Sequence, residues 1–496
     1  MHVAAKQIAP LFNHKNLRTP TIKHHCPKTN LAACLRACSN NVGPDLAVVE
    51  EFSSWFRKVK IPEFMDALSK EDITVDLEDW LKKYPEQYRE KIRKFTDYSM
   101  HEGDTSWFEA FPKIEQQFTE VHHDDKDTSL NTVKERQICG PPDEKKFLAN
   151  AFVNILEGVA HRHIKSYCGR KNWIEICKSV DEGLEKLVDP ILGAADGSGF
   201  DMTQLTWQHK LVNELMTKAA NHPNVTWKQP LEIEGFLRAI KESLILKVRS
   251  DGITYKTQGR ASGDGWTTFG NSMLMSSYWE FVFHKFGLTS DQYFLQVKGD
   301  DVLFALEKYL NTDFNRFWPR YFATNKTKQD HGLGQICTKI LFGDITQMDF
   351  LSNHFFYNST GKLRMTRIPA RVVQTISWST KIPDNLKPAV REKMAANLCY
   401  SKGMCLLAWA KGLPIFQTLG ETLVRIGAPG KYTEYDQYAD GGRVWHNVDD
   451  RQEYELYLYE RYKLSTADIR SIESKLRSIN SLQGVIDIPE FDKFYV

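Results

Sequence analysis

Two periodicities divide the chain into elements. After Gly140-Pro141-Pro142-Asp143, apolar residues recur at 148, 151, 152, 155, 156 and 159. That is one face of a 3.6-residue repeat and predicts a helix with Asp143 as its N-cap. Trp207, Leu211, Val212, Leu215, Met216 and Ala219 mark a second amphipathic helix, and a third is predicted from about Thr267 to His284. Elsewhere the apolar positions close up into short unbroken runs. Ile191-Leu192-Gly193-Ala194-Ala195 ends at Asp196 and reads as a buried strand. Runs from Tyr293 to Val297 and from Val302 to Leu306 flank Gly299-Asp300-Asp301, a hairpin signal with a Gly-Asp pair at the bend. Residues 1–45 are irregular, 46–120 carry helical stretches such as that around Trp55 to Leu68, and 121–130 form a polar break. The stretch 254–263 is polar and contains glycine, and the chain beyond about 360 is mainly helical and aromatic-rich. Mixed strands and helices of this kind predict an α+β architecture.

Length changes the picture first. At 496 residues the chain exceeds what one small core requires, so two or three subdomains are expected. No stretch approaches the roughly 20 apolar residues that span a bilayer, and the N-terminal residues lack the apolar run of a secretory signal. Nine cysteines, scattered and odd in number, point to a reducing compartment and away from a disulfide scaffold. The net charge of +2 does not announce a nucleic-acid partner, but its distribution is uneven. Residues 1–44 hold six Lys/Arg and no acid, and 134–171 hold eight Lys/Arg against four acids, with no acid from Arg162 to Lys171. Such segments suit either a phosphate backbone or a solvated face.

The carboxylates carry the candidate chemistry. If the strand ending at Asp196 pairs beside the hairpin, Asp196, Asp300 and Asp301 converge at one edge of a sheet. Three clustered acids are costly unless cations neutralise them. Two Mg2+ ions bridging Asp196 and Asp300 would do so while aligning a 3′-hydroxyl and a triphosphate for in-line attack. A lone Gly-Asp-Asp is weak evidence, because Asp is common in turns. Its context is stronger. Asp196-Gly-Ser-Gly-Phe-Asp201 places two acids five apart, and Ser262-Gly263-Asp264-Gly265-Trp266-Thr267-Thr268-Phe269-Gly270-Asn271 has the form S-G-x3-T-x3-N.

In this order, the three patterns resemble motifs A, B and C in the palm of positive-strand viral RNA-dependent RNA polymerases. Lys134-Glu135-Arg136-Gln137-Ile138 is similar to the K-x-R-x-I element of motif F, Gly332 to Lys339 to motif D, and Asp349-Phe350-Leu351-Ser352 to motif E. Arg367-Ile368-Pro369-Ala370-Arg371 resembles the start of the thumb in tombus-like and noda-like viruses. The resemblance covers roughly residues 130–375. It implies a right-hand polymerase with fingers, a palm of antiparallel sheet flanked by helices, and a mainly helical thumb. Fingers and fingertips would occupy 1–185, palm 186–204, a fingers/palm insertion 205–255, palm again 256–355, and thumb and tail 356–496.

The same resemblance implies the roles. Asp196, Asp300 and Asp301 would hold two Mg2+ ions, for which Mn2+ can substitute, and Lys134 and Arg136 would bind the phosphates of the incoming NTP. Asp201 and Asn271 would read its ribose 2′-hydroxyl. Ser262 and Gly263 would form the mobile loop beside the nascent base pair, with Thr267 bracing Asn271 one helical turn on. Lys339 would protonate the leaving group, with Lys326 and Lys328 as rivals. RNA template, product strand and NTPs are the implied partners. Viral replication proteins and a host membrane, reached through partners in the cytoplasm, would complete the complex.

Rival readings stay open at this point. A reverse transcriptase shares the palm, but its motif C is aromatic-x-Asp-Asp, where this chain has Lys298-Gly299-Asp300-Asp301, and it normally lacks an Asn at the 271 position. A non-catalytic RNA-binding replication subunit would be expected to have lost one of the acids. His24, His25, Cys26, Cys34 and Cys38 match no standard zinc spacing. The tail Phe491-Asp492-Lys493-Phe494-Tyr495-Val496 suits either a stacking platform for initiation or an aromatic anchor on the thumb.

Overall fold

The computed structural model describes residues 6–15, 43–82, 84–87, 89–90, 107–112, 137–250, 252–325, 330–430 and 450–495. In chain order the principal strands are β1 (Trp107–Pro112), β2 (Gln137–Gly140), β3 (Pro190–Gly197), β4 (Leu246–Ser250) and β5 (Ile253–Thr257). They continue with β6 (Tyr293–Lys298), β7 (Asp301–Glu307), β8 (Cys337–Gly343), β9 (Asn353–Tyr357) and β10 (Leu363–Arg367). The helices that bear on the site are α1 (Asp143–His163), α2 (Thr206–Ala220), α3 (Thr267–Phe286), α4 (Pro369–Ile376), α5 (Pro388–Ala410) and α6 (Phe416–Ile426).

A four-stranded antiparallel sheet of order β6-β7-β3-β8 occupies the centre. The unbroken apolar run of β7 has a direct cause. Val302, Phe304 and Leu306 point into a core shared with α1, α2 and α3, while Leu303 and Ala305 point into a second core shared with α5 and α6. A strand buried on both faces loses the alternation that a half-exposed strand shows. Helix α3 is likewise buried around its circumference. Trp279 stacks on Phe304 and on Phe322, with ring centroids 5.3 and 4.9 Å away, and Glu280 is paired with the buried Lys60 at 2.7 Å and accepts from Ser166 Oγ at 2.7 Å.

A second four-stranded sheet has the order β2-β1-β4-β5. Strand β5 overlaps the stretch noted above as polar and glycine-containing and begins one residue before it, at Ile253; its outward residues are polar and Thr257 is its buried end. Asp143 is the first residue of α1, and Pro142 takes the N-cap position, where its ring carries no oxygen to accept from the first helical N–H groups. The acid-free run is largely consumed by local pairing. Arg162 and His163 both bind Glu71 at 2.7 Å, and Lys171 donates to Ser179 and Gln296 at 2.9 Å.

Beyond the β9–β10 hairpin the chain is mainly helical. The buried Arg364 of β10 pairs with Asp450 at 2.5 Å and donates to the carbonyls of Trp409 and Lys411. The two ends of the chain meet here. Leu11–Asn13 runs parallel to Val485–Asp487, and Lys6–Gln7 pairs with Trp378–Ser379. Phe491 and Phe494 are buried, and Tyr495 stacks on His14 at 5.3 Å. The aromatic tail is therefore an anchor in this structure. Among the described residues no helix is long and apolar enough to cross a membrane.

Phe494→Ala removes a ring that stacks on Phe416 and Phe491 and meets Tyr462 edge to face. Chemical denaturation is expected to show a loss of about 3–5 kcal/mol; a loss near zero would mean that the tail does not pack in solution.

Candidate active site

The site begins with a turn. Lys298 of β6 pairs with Asp301 of β7, so Gly299 and Asp300 alone make the bend. Gly299 has φ 63°, and glycine at the first central position is what a two-residue hairpin of this kind requires. Helix α3 holds the turn: the Gly299 N–H donates to Ser272 Oγ at 2.9 Å. Next, β7 pairs antiparallel with β3 so that Asp301 stands opposite Asp196, and the Gly197 N–H donates to the Asp300 carbonyl at 3.3 Å. The strand does pair beside the hairpin, and three carboxylates share one end of the sheet.

Their charges conflict. Burial, and then the neighbouring Asp300, push the Asp196 carboxyl up to about 6. Burial, Asp300 and Asp196 push that of Asp301 up to about 7. Two cations oppose this: Arg371 of α4 faces both acids and Lys298 faces Asp301. Arg371, which is exposed, also donates to Ser352 Oγ. Hard carboxylate oxygens gathered at one sheet edge suit a divalent ion such as Mg2+ or Mn2+. Among the described residues no three His, Cys, Asp or Glu side chains are gathered tightly enough to ligate one ion. The strand register juxtaposes the acids without closing them around a centre.

Asp201 belongs to a different cluster. Gly199, at φ 67°, starts the short helix Phe200–Thr203 that carries Asp201. Asn271 of α3 donates from Nδ2 to Asp201 Oδ1 at 2.6 Å and accepts from Gln204 Nε2 at 2.7 Å. Thr203 exchanges hydrogen bonds with Gln335, which ties this helix to the segment before β8.

The loop at Ser262-Gly263 rests on β2. Gly263 N–H donates to the Cys139 carbonyl at 3.0 Å, and the Cys139 N–H donates to Ser262 Oγ at 3.3 Å. A Cβ on Gly263 would lie 2.7 Å from the Cys139 carbonyl oxygen, so the backbones approach as only glycine permits. Thr267 braces this loop and leaves Asn271 to other partners: its hydroxyl donates to the Ala261 carbonyl at 2.6 Å. Beneath the loop, burial pushes the Asp264 carboxyl up to about 6, opposed by Lys145 and Arg260.

Lys339 lies exposed on β8, at the irregularity between Cys337 and Ile340 where that edge strand leaves its register with β3. Lys134 and Arg136 lie outside the described residues, as do Lys326, Lys328, His24, His25, Cys26, Cys34 and Cys38. The strand that follows Arg136 is β2, the support of the Gly263 loop. Phe350 is core; Leu351 and Ser352, both at positive φ, turn the chain into β9. Ser272, Gln204, Arg260 and the cation at Arg371 were not singled out for the site from sequence. Ser272 directly follows Asn271, which was a usable signal; nothing in the spacing of the other three points to the site.

An Asp301 carboxyl held near 7 binds its proton more tightly in the fold than in the unfolded chain, where the value is about 4. Its charge therefore costs stability above pH 7, and the cost fades as pH falls toward 4. In chelator at pH 8, Asp301→Asn is expected to raise the melting temperature by roughly 1–3 °C, with little difference at pH 5. Divalent cation should stabilise the unsubstituted protein more than the variant. Equal melting curves at both pH values would contradict this electrostatic account.

No curated protein sequence matches the chain. The family model of the viral RNA-dependent RNA polymerase matches residues 128–401, which run from just before the Lys134 element, through β3, α3, the β6–β7 hairpin and β8, into α5. More than half of the chain is matched, and the protein belongs to the viral RNA-dependent RNA polymerases and is an RNA-directed RNA polymerase.

Proposed function

We propose that this chain copies a positive-strand viral RNA genome by nucleotidyl transfer from NTPs to an RNA 3′-hydroxyl at the Asp196/Asp300/Asp301 edge. The observation that carries the reading is the register that sets Asp301 opposite Asp196 with Asp300 in the adjoining turn. The family works with divalent metal ions; here Asp196 and Asp300, with Asp301 beside them, would hold two, Mg2+ or Mn2+. Bound there, the ions supply charge neutralisation for the triphosphate and the 3′-hydroxyl. The rest of the work falls to the chain itself. Asp201 and Asn271 receive the ribose 2′-hydroxyl. Lys134 and Arg136 neutralise phosphates. The loop at Ser262 and Gly263 supports the nascent pair. Lys339 donates a proton to the pyrophosphate. Catalysis on this reading is positioning and electrostatic stabilisation, and base choice is left to pairing with the template.

A cavity of about 400 Å³ lined by Ser352, Arg367, Arg371 and Lys402 offers positive charge to the backbone of the product strand. We assign 1–185 and 205–255 to fingers, 186–204 and 256–355 to palm, and 356–496 to thumb and tail. Attachment to a membrane-associated replication complex in the host cytoplasm would run through viral partner proteins.

The test is labelled-NTP incorporation by purified protein on a homopolymeric RNA template, with and without primer, in Mg2+ and in Mn2+. Template-dependent product is expected, and Asp300→Asn should lower it by roughly a hundredfold or more with the fold intact by circular dichroism. Equal use of dNTPs would favour a reverse transcriptase, and product unaffected by Asp300→Asn would remove the carboxylate edge from the chemistry. Gly263→Ala, which crowds the Cys139 carbonyl, is expected to cost about 1–3 kcal/mol of stability and to slow incorporation of all four NTPs. Unchanged rates would separate the loop from the reaction.

A further inference from the structure

Behind Asp201 the buried polar side chains form one directed chain. It starts at Arg260, whose guanidinium has only donors to offer, and Nε donates to Gln204 Oε1 at 3.0 Å. With its oxygen committed, Gln204 presents Nε2 on the other side, and this donates to Asn271 Oδ1 at 2.7 Å. Asn271 then donates from Nδ2 to Asp201 Oδ1 at 2.6 Å. The donor-only group at the head of the chain leaves a single polarity for both amides, which ends with Asn271 donating to the Asp201 carboxyl oxygen. The orientation of a side-chain amide, ambiguous in isolation, is dictated here by the network.

The surroundings are built to hold it. Gln204 and Arg260 are 0% and 1% exposed, and the Arg260 N–H donates to the Asp201 carbonyl at 2.7 Å, clamping the two segments backbone to backbone. Gly270, one residue before Asn271, makes room for the guanidinium: a Cβ there would stand 3.3 Å from Nη2 and 3.4 Å from Cζ. Among the described residues, Nη2 is buried with no hydrogen-bond partner. Burying a guanidinium with a donor unsatisfied is expensive, and so hard to explain as a device for stability alone.

We infer that Arg260 and Gln204 are positioning residues for ribose recognition: they fix Asn271 with its amide N–H, and not its carbonyl, beside the Asp201 carboxylate. This rests on the reading of Asp201 and Asn271 as the groups that receive the 2′-hydroxyl. A hydroxyl both donates and accepts. Met by a carboxylate and an N–H side by side, it can donate to the first and accept from the second. If Asn271 turns over, its carbonyl joins the carboxylate, the hydroxyl meets two acceptors, and one of the three groups is left unsatisfied. A 2′-deoxynucleotide loses nothing by that reversal, so discrimination between the two sugars falls.

Gln204→Glu tests this. The substitution keeps the shape and still accepts from Arg260, but the carboxylate has no donor for Asn271 Oδ1, so Asn271 is driven to turn. Gln204→Met, which keeps the bulk and removes both amide groups, is measured beside it. The readout is the ratio of kcat/KM for an NTP to that for its 2′-deoxy analogue, which does not depend on the fraction of active enzyme. Both variants are expected to lower the ratio by about tenfold or more, mainly through a higher KM for the NTP. If both sugars slow equally and the ratio holds in either variant, Gln204 is merely structural and the inference falls. Asn271→Ala separates the two levels. If that change also leaves the ratio untouched, the ribose reading of Asp201 and Asn271 fails; if it lowers the ratio while the Gln204 variants do not, only the relay fails.

Discussion

Asp196 and Asp301 face each other because β3 and β7 pair in a register that neither strand can leave. Side chains of a strand alternate between faces, so a slip of one residue would exchange every inward and outward position. In β7 that slip would carry Phe304 from the core where it stacks on Trp279 into the opposite core, where Ala305 now fits. Both cores resist, one from each face of the sheet. The repulsion among the carboxylates cannot be relieved by movement along the strands, so it persists as raised proton affinity and as demand for cations.

Helix α3 connects this edge to the rest of the site. Thr267 holds the Ala261 end of the loop, Gly270 admits the Arg260 guanidinium, Asn271 binds Asp201, and Ser272 receives the N–H of Gly299 in the turn. Thr267, Gly270 and Asn271 lie three and four residues apart and share a helix face, and Ser272 opens the adjoining one, so one rigid element touches the loop, the Asp201 cluster and the carboxylate turn at once. Its other surfaces are packed by aromatic rings and by the buried Lys60, which pairs with Glu280. A helix surrounded in this way sets distances between three parts of the chain that are far apart in sequence.

Much of this was legible beforehand, for physical reasons. The run Val302 to Leu306 could be read as a buried strand because five consecutive apolar residues have few other uses, and Gly299-Asp300 as a bend because a two-residue hairpin asks for glycine. The S-G-x3-T-x3-N pattern located the start of α3 and its Asn. Strand β5 was missed because its outward residues are polar and its partner β4 supplies most of the burial. Asp143 is not the cap but the first helical residue, one position beyond Pro142, because helix ends shift by a residue without changing the apolar face that marks the helix.

Local chemistry along the chain thus determined which residues are acids, which runs are buried and where the chain must bend, since each depends on a residue and its near neighbours. Only the tertiary structure decided that Thr267 spends its hydroxyl on Ala261, that the tail rings Phe491 and Phe494 are anchors, and that Arg260 and Gln204 line up behind Asn271 while Arg371 faces the carboxylates. Those outcomes turn on which donor meets which acceptor across folded distance. A hydrogen bond acts over about 3 Å of space, whatever the number of residues between its partners.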